Sequence, residues 1–325
     1  MSNLFTELTK KVSSANKKIV FPEALDERVL TAASKLSKEE IIQPILIGDE
    51  NSVKEKAAEH DLDLSGCTII NPKEYSGFEN MVAAFVERRK GKATEADART
   101  ILQDENYFGT MLVYLNEADG LVSGAVHSTS DTVRPALQLI KTKAGIKKTS
   151  GVFIMVREEE KYVFADCAIN ISPDAADLAE IAVESAVTAR LFDIDPRVAM
   201  LSFSTKGSAV SEETERVVAG LELAKEKNPA LVIDGEFQFD AAFVPSVAEK
   251  KAPDSVLKGN ANVFVFPNLE AGNIGYKIAQ RLGGFEAVGP ILQGLNKPVN
   301  DLSRGCSAED VYKLAIITAA QSAAE

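Results

Sequence analysis

The stretch KKIVFPEALDERVLTAASKL, Lys17 to Leu36, sets the pattern on which the chain is built. A short apolar run, Ile19 to Phe21, is followed by a polar turn and then by a longer segment in which apolar residues recur at helical spacing. A short continuous apolar run favours a buried strand, and the longer spacing favours an amphipathic helix. The stretch therefore predicts a β-strand followed by an α-helix.

The same pattern recurs through the first half of the chain. QPILIGD precedes SVKEKAAEH, CTIINP precedes FENMVAAFVERRK, and DGLVSGAV precedes SDTVRPALQLIKTKAG, a helix that we expect to end at Gly145. Repeated strand and helix units of this kind predict a mostly parallel sheet with crossover helices.

The middle of the chain changes character near Thr149. GVFIMVREEEKYVFADCAI carries two apolar strands on either side of a charged turn, which predicts a hairpin rather than a crossover. Further strands and helices alternate after it. The turn-rich segment Gly289 to Asn300 predicts a partly buried loop. The final helix, from Ala308 onward, is expected to return to the first domain.

These patterns predict an α/β protein of two α/β domains with an interdomain cleft. The first domain is discontinuous, with residues 1-148 plus about 296-325, and the second comprises residues 149-295. A length of 325 residues fits two domains, and 45% apolar content is ample for their cores. Clefts between domains are favoured ligand sites.

The formal net charge of -12 limits the partners that the chain can bind. It makes the long-range field repulsive to polyanions, which argues against nucleic acid or an anionic membrane surface as the main partner. A small anionic substrate stays allowed, because salt screens the field within about 8 Å and a few local arginines can reverse its sign in a cleft.

The cysteines and histidines give no metal or disulfide pattern. Cys67, Cys167 and Cys306 are too few and too widely spaced for a disulfide framework or a zinc site. The N-terminus lacks a signal-peptide core, and no apolar run approaches the roughly 20 residues that span a bilayer, so a reducing cytoplasm is expected. His60 and His127 lack partners at ligand spacing, which favours structural roles.

The stretch SGAVHSTSDTVRPAL, Ser123 to Leu137, is predicted to form a strand, a small polar loop and a helix. Backbone N–H groups at a helix start bind anions. Three hydroxyls in the loop add donors: Ser128, Thr129 and Ser130. Arg134 supplies a cation in the first turn of the helix. The alternative is that Ser130 or Asp131 caps the helix and that Arg134 is a surface charge.

A basic group follows the apolar helix in FVERRKGKATEADA. Its members are Arg88, Arg89, Lys90 and Lys92. Cations near a helix C-terminus are favourable in themselves, so a solvated basic helix end explains them without a ligand.

The stretch DLSRGCSAED, Asp301 to Asp310, places an Arg, a Ser, a Cys and several acids just before an apolar helix. Ser307 with Asp310 three residues later is typical of a capping pair, which requires no catalytic role. The shaped loop upstream could also hold Arg304 in place. The residues by themselves leave both interpretations open.

With these segments in hand, the chain closely resembles the phosphate acetyltransferase family in its short, single-unit form. Seven segments match that family's landmarks in order: VFPEALDERVLTAA, RRKGKATEADA, SGAVHSTSDTVRPALQLI, MLSFSTKGSA, LVIDGEFQFDAA, FPNLEAGNIGYKIAQRLGG and GPILQGLNKPVNDLSRGCSAEDVY. The resemblance implies three-layer, mostly parallel domains, isocitrate/isopropylmalate dehydrogenase-like. It also implies that acetyl-CoA and phosphate give acetyl phosphate and CoA, without a metal or prosthetic group, in a cytoplasmic homodimer.

The resemblance also implies roles for particular residues. Catalysis falls on Ser303, Arg304 and Asp310, and substrate binding falls on Arg134 and Arg88. Asp310 would be the base for the CoA thiol, Ser303 the donor to the oxyanion, and Arg304 a fork for phosphate oxygens. An ordinary Asp, with a pKa near 3.9, is poorly matched to a thiol near 8.5, so its environment must help.

Several alternatives remain at this stage. The family usually reads R-K-x-K-G where this chain has RRKGK, so either Arg88 or Arg89 faces the cleft. Cys306, at a helix start, could carry the acetyl group covalently. Two other functions stay open: a phosphate butyryltransferase, or a noncatalytic domain that senses CoA.

Overall fold

The computed structural model describes residues 3–323 of the chain. The chain divides into two compact units. The first unit is Met1–Lys143 with Leu295–Glu325, and the second is Ala144–Gly294. Each unit is built around its own sheet.

The elements are numbered along the chain. The strands are β1 (Lys18–Phe21), β2 (Gln43–Ile47), β3 (Thr68–Ile70), β4 (Gly120–Ser123), β5 (Ser150–Arg157), β6 (Glu160–Ala165), β7 (Val198–Leu201), β8 (Ile233–Phe237), β9 (Val263–Val265), β10 (Glu286–Gln293) and β11 (Val299–Asp301). The α-helices are α1 (Asn3–Ser13), α2 (Glu27–Lys38), α3 (Glu50–Ala58), α4 (Phe78–Arg89), α5 (Glu95–Ile101), α6 (Glu105–Tyr114), α7 (Thr129–Pro135), α8 (Ala175–Leu191), α9 (Glu212–Lys227), α10 (Phe239–Phe243), α11 (Pro245–Lys251), α12 (Leu269–Arg281) and α13 (Ala308–Ala323), and a π-helix spans Ala136–Ile140. Among these described helices, none is long and apolar enough to cross a bilayer.

The sheet of the first unit is parallel throughout, in the order β11-β4-β1-β2-β3. Val20 in the central strand pairs with Ile45 on one side and Leu121 on the other, and all three side chains are buried. Since the strands are parallel, their carboxyl ends meet at one edge. The loops that follow β1, β4 and β11 therefore lie beside one another, at the kind of edge where α/β sheets bind ligands.

Helices pack on this sheet through their apolar faces, and α2 is stabilised by a side-chain cap at its first turn. Asp26 caps α2 by accepting a 2.9 Å hydrogen bond from the backbone N–H of Arg28. Such a cap stabilises a helix by about 1 kcal/mol. The helix α13 packs against α2, α1 and β4, and its buried residues include Tyr312 and Ile316. The beginning of α13 is tied to the end of α2, because Nζ of Lys35 donates to Glu309 at 3.3 Å and the hydroxyl of Tyr312 donates to Glu39 at 2.6 Å.

The second unit has a mixed sheet in the order β10-β5-β6-β9-β7-β8. The strands β5 and β6 pair antiparallel across a tight turn, with Arg157 opposite Glu160, so the predicted hairpin is confirmed. The strands β6, β9, β7 and β8 are parallel. Aromatic side chains fill much of the core beside them, among them Phe164, Phe237 and Phe264. Both sheets are mostly parallel, as the sequence predicts.

Two sequence predictions about local structure are wrong. The segment Gly289 to Asn300 is not a loop throughout, because it contains most of β10 and the beginning of β11. The helix that begins at Thr129 ends at Ile140 rather than Gly145, and Lys141 follows it with a positive φ of 66°. A non-glycine residue in that backbone conformation cannot continue a right-handed helix.

Candidate active site

Three loops meet at the carboxyl edge of the first unit's sheet. They follow β1, β4 and β11, which are adjacent strands. Gly124 shows how closely the last two approach: a Cβ atom built there would lie 2.5 Å from Oδ1 of Asp301 and 2.7 Å from the backbone nitrogen of Leu302. Gly124 also has a positive φ of 109°, so a side chain is excluded on both grounds.

The loop after β11 carries Ser303 and Arg304, both exposed. The loop is held in a turn because the N–H of Cys306 donates to the carbonyl of Ser303 at 2.8 Å. Within residues 3–323, the guanidinium of Arg304 has no hydrogen-bond acceptor and the hydroxyl of Ser303 donates to none. Both groups are therefore available to a ligand.

Ser307 and Asp310 form the capping pair that the sequence suggests. The backbone N–H and the hydroxyl of Ser307 each donate to Oδ2 of Asp310 at 2.8 Å, and the N–H of Asp310 lies 3.2 Å from Oγ of Ser307. In the described part of the chain, Oδ1 of Asp310 accepts no hydrogen bond. The carboxylate thus caps α13 with one oxygen and keeps the other exposed.

Arg28, at the start of α2, joins two of the loops, and the sequence analysis missed it. Its Nη1 donates to the carbonyls of Arg304 (2.8 Å) and Cys306 (3.0 Å), and its Nη2 donates to the carbonyl of Ala125 at 2.8 Å. Asp26 holds the guanidinium with two bonds of 2.9 and 2.8 Å. These bonds lower the pKa of Asp26. Nothing in the local sequence signals this role, since Arg28 looks like any charged residue in a first helical turn.

The loop after β4 is organised by Glu23, which follows β1. Its carboxylate accepts the backbone N–H groups of four successive residues, Gly124 to His127, at 2.8 to 3.0 Å. These four N–H groups are therefore occupied by the protein's own carboxylate. The sequence predicts anion binding further along the chain, at the start of the helix where Ser128, Thr129 and Ser130 lie.

The turn that opens α7 is tied to β11. The hydroxyl of Thr129 donates to Oδ2 of Asp301 at 2.7 Å. Ser128 donates through its N–H (3.1 Å) and its hydroxyl (2.7 Å) to Asp131, and the hydroxyls of Ser128 and Ser130 lie 3.0 Å apart. The structure therefore brings these three hydroxyl residues to the loop system that carries Ser303 and Arg304.

Arg134 is exposed on α7, and its guanidinium finds no acceptor in the described residues. Burial raises the pKa of Tyr107, and the charges of Arg134 and Arg89 oppose that rise. The two guanidinium groups are therefore in the same neighbourhood, around Tyr107.

Arg88 is partly engaged within the protein. Its Nε and Nη2 donate to the carbonyls of Leu139 (2.6 Å) and Ile140 (3.0 Å) at the end of the π-helix, and its guanidinium stacks 4.9 Å from the ring centre of Tyr114. Arg89 makes no such bond within the described residues. Arg88 is thus fixed by α4 and the π-helix, while Arg89 is the freer of the two.

Arg88 belongs to a basic cluster that also contains Arg89, Lys90, Lys92 and Lys141. Repulsion from Arg88, together with desolvation and the other cations of the cluster, lowers the pKa of Lys141. The local potential here is therefore positive, although the protein's net charge is -12. A cluster of this kind attracts small anions.

A cavity of about 670 Å³ lies beside the same edge of the sheet. Its lining includes Glu23, Asp26, Asp49, Lys73 and His127. It is thus within the usual size range of ligand pockets, about 300 to 1,000 Å³. More of its charged side chains are acidic than basic.

All three cysteines are free thiols, and both histidines lie beside glutamate side chains. Burial raises the pKa of the Cys306 thiol to about 11, against the opposing charge of Arg28. His60 lies 3.4 Å from Glu27, and His127 lies 2.9 Å from Glu23.

Comparison with known proteins covers nearly the whole chain. The family model described as phosphate acetyl/butaryl transferase matches residues 3–319. The phosphate acetyltransferase of Bacillus subtilis (strain 168) is 71% identical over 322 residues, which cover 99% of this chain and 100% of that protein. The phosphate acetyltransferase of Staphylococcus epidermidis (strain ATCC 12228) is 62% identical over 327 residues, with 99% of both chains covered.

Solved structures show the same likeness. A phosphotransacetylase from Streptococcus pyogenes has a TM-score of 0.97 at 61% identity, with 99% of both chains covered. A phosphotransacetylase from Staphylococcus aureus has a TM-score of 0.95 at 60% identity, with 98% of both chains covered. The fold and the sequence therefore point to the same group of proteins.

Proposed function

Because the chain belongs to the phosphate acetyl/butaryl transferase family, we propose that it catalyses reversible acetyl transfer between coenzyme A and inorganic phosphate. Acetyl-CoA and phosphate then give acetyl phosphate and CoA, with CoA as a substrate rather than a cofactor. The observation that carries the proposal within the fold is the Thr129 to Asp301 hydrogen bond of 2.7 Å. It joins the α7 turn to the strand that leads into Ser303 and Arg304.

The chemistry requires three kinds of group. In the direction of acetyl-CoA synthesis, the CoA thiol loses its proton, its sulfur attacks the carbonyl carbon of acetyl phosphate, and phosphate leaves through a tetrahedral oxyanion. We assign the hydroxyl of Ser303 to the oxyanion and the guanidinium of Arg304 to the phosphate oxygens. Support comes from their exposure and from the absence of an acceptor for either group within the described residues.

Asp310 is the proposed base. Its capping bonds with Ser307 use Oδ2, which leaves Oδ1 to receive a proton. The cap and the base are therefore compatible, since each uses a different oxygen. We propose that proton transfer from the thiol to this carboxylate is concerted with attack of the sulfur on the carbonyl carbon.

Substrate phosphate is assigned to the α7 turn and its surroundings. The proposed contacts are Arg134, Ser128, Thr129, Ser130 and one cation of the basic cluster, either Arg88 or Arg89. The hydroxyl of Thr129 is engaged by Asp301, so its backbone N–H is the donor that it offers. Arg89 is freer than Arg88, and this favours Arg89 as the cation that reaches a bound anion.

The assay that tests this function follows thioester absorbance. Purified protein is mixed with acetyl-CoA and phosphate, and with arsenate in place of phosphate as a second acceptor. Turnover with both acceptors is expected. Binding of CoA without any turnover would overturn the proposal in favour of a noncatalytic CoA-sensing domain.

A second measurement sets the acyl preference. The ratio kcat/KM is compared for acetyl-CoA and butyryl-CoA. Two extra methylenes add roughly 0.8 kcal/mol each in a pocket that fits them, and a small pocket excludes them. A preference for butyryl-CoA would assign the chain to phosphate butyryltransferase instead.

We also propose that the enzyme is a homodimer in a reducing cytoplasm. The family resemblance supports the dimer, and three free thiols without a disulfide support the compartment. Light scattering after size exclusion is expected to give twice the mass of 34.9 kDa. A monomer mass would overturn the dimer.

A further inference from the structure

Glu23 makes an unusual set of contacts for a carboxylate outside the proposed catalytic residues. Its side chain is only 2% exposed. Oε2 accepts the N–H groups of Gly124 (3.0 Å) and Ala125 (2.8 Å), and Oε1 accepts those of Val126 and His127 (both 2.8 Å). The ring nitrogen Nδ1 of His127 lies a further 2.9 Å from Oε1.

Successive backbone N–H groups that converge in this way form an anion-binding concavity. In this protein the bound anion is the carboxylate of Glu23, and it lies next to the turn to which substrate phosphate is assigned. The carboxylate also repels a phosphate from these four donors. A bound phosphate is therefore directed to the next part of the loop, residues 128–130, and to Arg134.

We propose that Glu23 is a positioning residue for the phosphate half of the active site. The proposal rests on the function proposed above. By holding residues 124–127, Glu23 places the carbonyl of Ala125 against Arg28 and the hydroxyl of Thr129 against Asp301. Glu23 acts on the substrate through these residues and does not itself touch the reacting atoms.

The contact with His127 gives this role a spectroscopic signature. A carboxylate that accepts four N–H groups is also an acceptor toward the ring, so Nδ1 of His127 must carry hydrogen. In a neutral imidazole, Nε2 then keeps its lone pair. Loss of the carboxylate removes the reason for this tautomer.

The first experiment measures the tautomer by ¹⁵N NMR. The chain has two histidines, so the His60→Gln variant leaves His127 as the single signal. In that background we expect the Nδ1–H form, and we expect Glu23→Ala, which removes both acceptor oxygens, to abolish the preference. An Nε2–H form with Glu23 intact would overturn the proposed contact.

The second experiment compares Michaelis constants. The amide nitrogen of Glu23→Gln would face two backbone donors, so the loop must shift. We expect KM for phosphate to rise about tenfold or more, with KM for acetyl-CoA changed less than about threefold. The control is Leu8→Ala, which removes a buried side chain of α1.

The third experiment is chemical rescue, which also serves if Glu23→Gln does not fold. Glu23→Ala lacks the carboxylate group, which acetate can supply. Acetate can reach the position of that carboxylate through the cavity that Glu23 lines. Acetate, but not chloride at equal ionic strength, is expected to lower the raised KM for phosphate of Glu23→Ala by about threefold. No rescue, together with a KM for phosphate equal to that of Leu8→Ala, would show that Glu23 is only structural. A wild-type protein without acetyl transfer would instead refute the proposed function and leave the NMR result standing.

Discussion

The hydroxyl of Thr129 donates a 2.7 Å hydrogen bond to Oδ2 of Asp301, and this bond joins two segments that lie 172 residues apart. Asp301 is 3% exposed, and its other oxygen has no partner among the described residues. Burial raises the pKa of Asp301 to about 6, the bond from Thr129 opposes the rise, and the charge of Glu23 adds to it. The carboxyl therefore titrates near pH 6, well above the ordinary range of an Asp.

Asp301→Asn should remove a destabilisation of the folded protein that grows as pH rises. The folded protein binds more protons at Asp301 than the unfolded protein does between the ordinary pKa of 3.8 and about 6. The contribution of Asp301 to the free energy of unfolding is therefore fully present below about pH 4 and is lost as pH rises through about 6. At pH 7 the variant is expected to have a larger free energy of unfolding, by at most on the order of 3 kcal/mol.

Urea unfolding at several pH values between 4.5 and 7 measures this effect as the difference between the two proteins. The control is Asp254→Asn, which removes an exposed carboxylate in the second unit. A wild-type minus Asp301→Asn difference that is flat across this range would contradict the raised pKa.

Arg304→Ala should lower kcat by about 10² or more, which corresponds to about 2.7 kcal/mol of transition-state stabilisation. The physical reason is loss of a charge-assisted fork to the departing phosphate. Arg304→Lys keeps the charge but not the fork, so an intermediate loss is expected. The control is Arg190→Ala, at an exposed position near the end of α8. If only KM changed in Arg304→Ala, the residue would bind ground-state substrate alone.

Ser307→Ala and Asp310→Asn separate the cap from the base. Asn keeps an oxygen that accepts from Ser307 but cannot take the thiol proton, so kcat should fall by about 10² with little loss of stability. Ser307→Ala should lower the free energy of unfolding by about 1 kcal/mol and leave kcat within about threefold. Thermal unfolding and steady-state kinetics of both variants supply the comparison. Equal kinetic losses in the two variants would mean that Asp310 acts only as a cap.

The sequence predicted the parts of the fold that depend on local patterns. The apolar runs at residues 19–21 and 45–47 lie in parallel strands, and the capping pair of Ser307 and Asp310 is present. The strand β11 was missed because its three residues, Val299 to Asp301, are too few for a periodic pattern and follow a turn-rich segment.

The site residues that sequence reasoning missed act over long sequence distances. Arg28 contacts the carbonyls of Arg304 and Cys306, 276 and 278 residues away. Glu23 binds backbone donors 101 to 104 residues away. Backbone groups carry no residue-specific signal, so no spacing in the sequence reveals these contacts.

Cys306→Ala tests whether the acetyl group passes through the protein. Burial raises the pKa of the thiol to about 11, and the charge of Arg28 opposes the rise while that of Asp310 adds to it. Only the thiolate is a good nucleophile, so at pH 7 Cys306 is poorly suited to accept an acetyl group. We expect Cys306→Ala to keep kcat within about threefold, since direct attack by CoA does not use the residue.

Cys67→Ala is the matched control, because burial raises the pKa of that thiol to about 11 as well. Incubation with labelled acetyl-CoA in the absence of phosphate completes the test: stoichiometric label on the wild type that disappears in Cys306→Ala would establish a covalent route and contradict direct transfer.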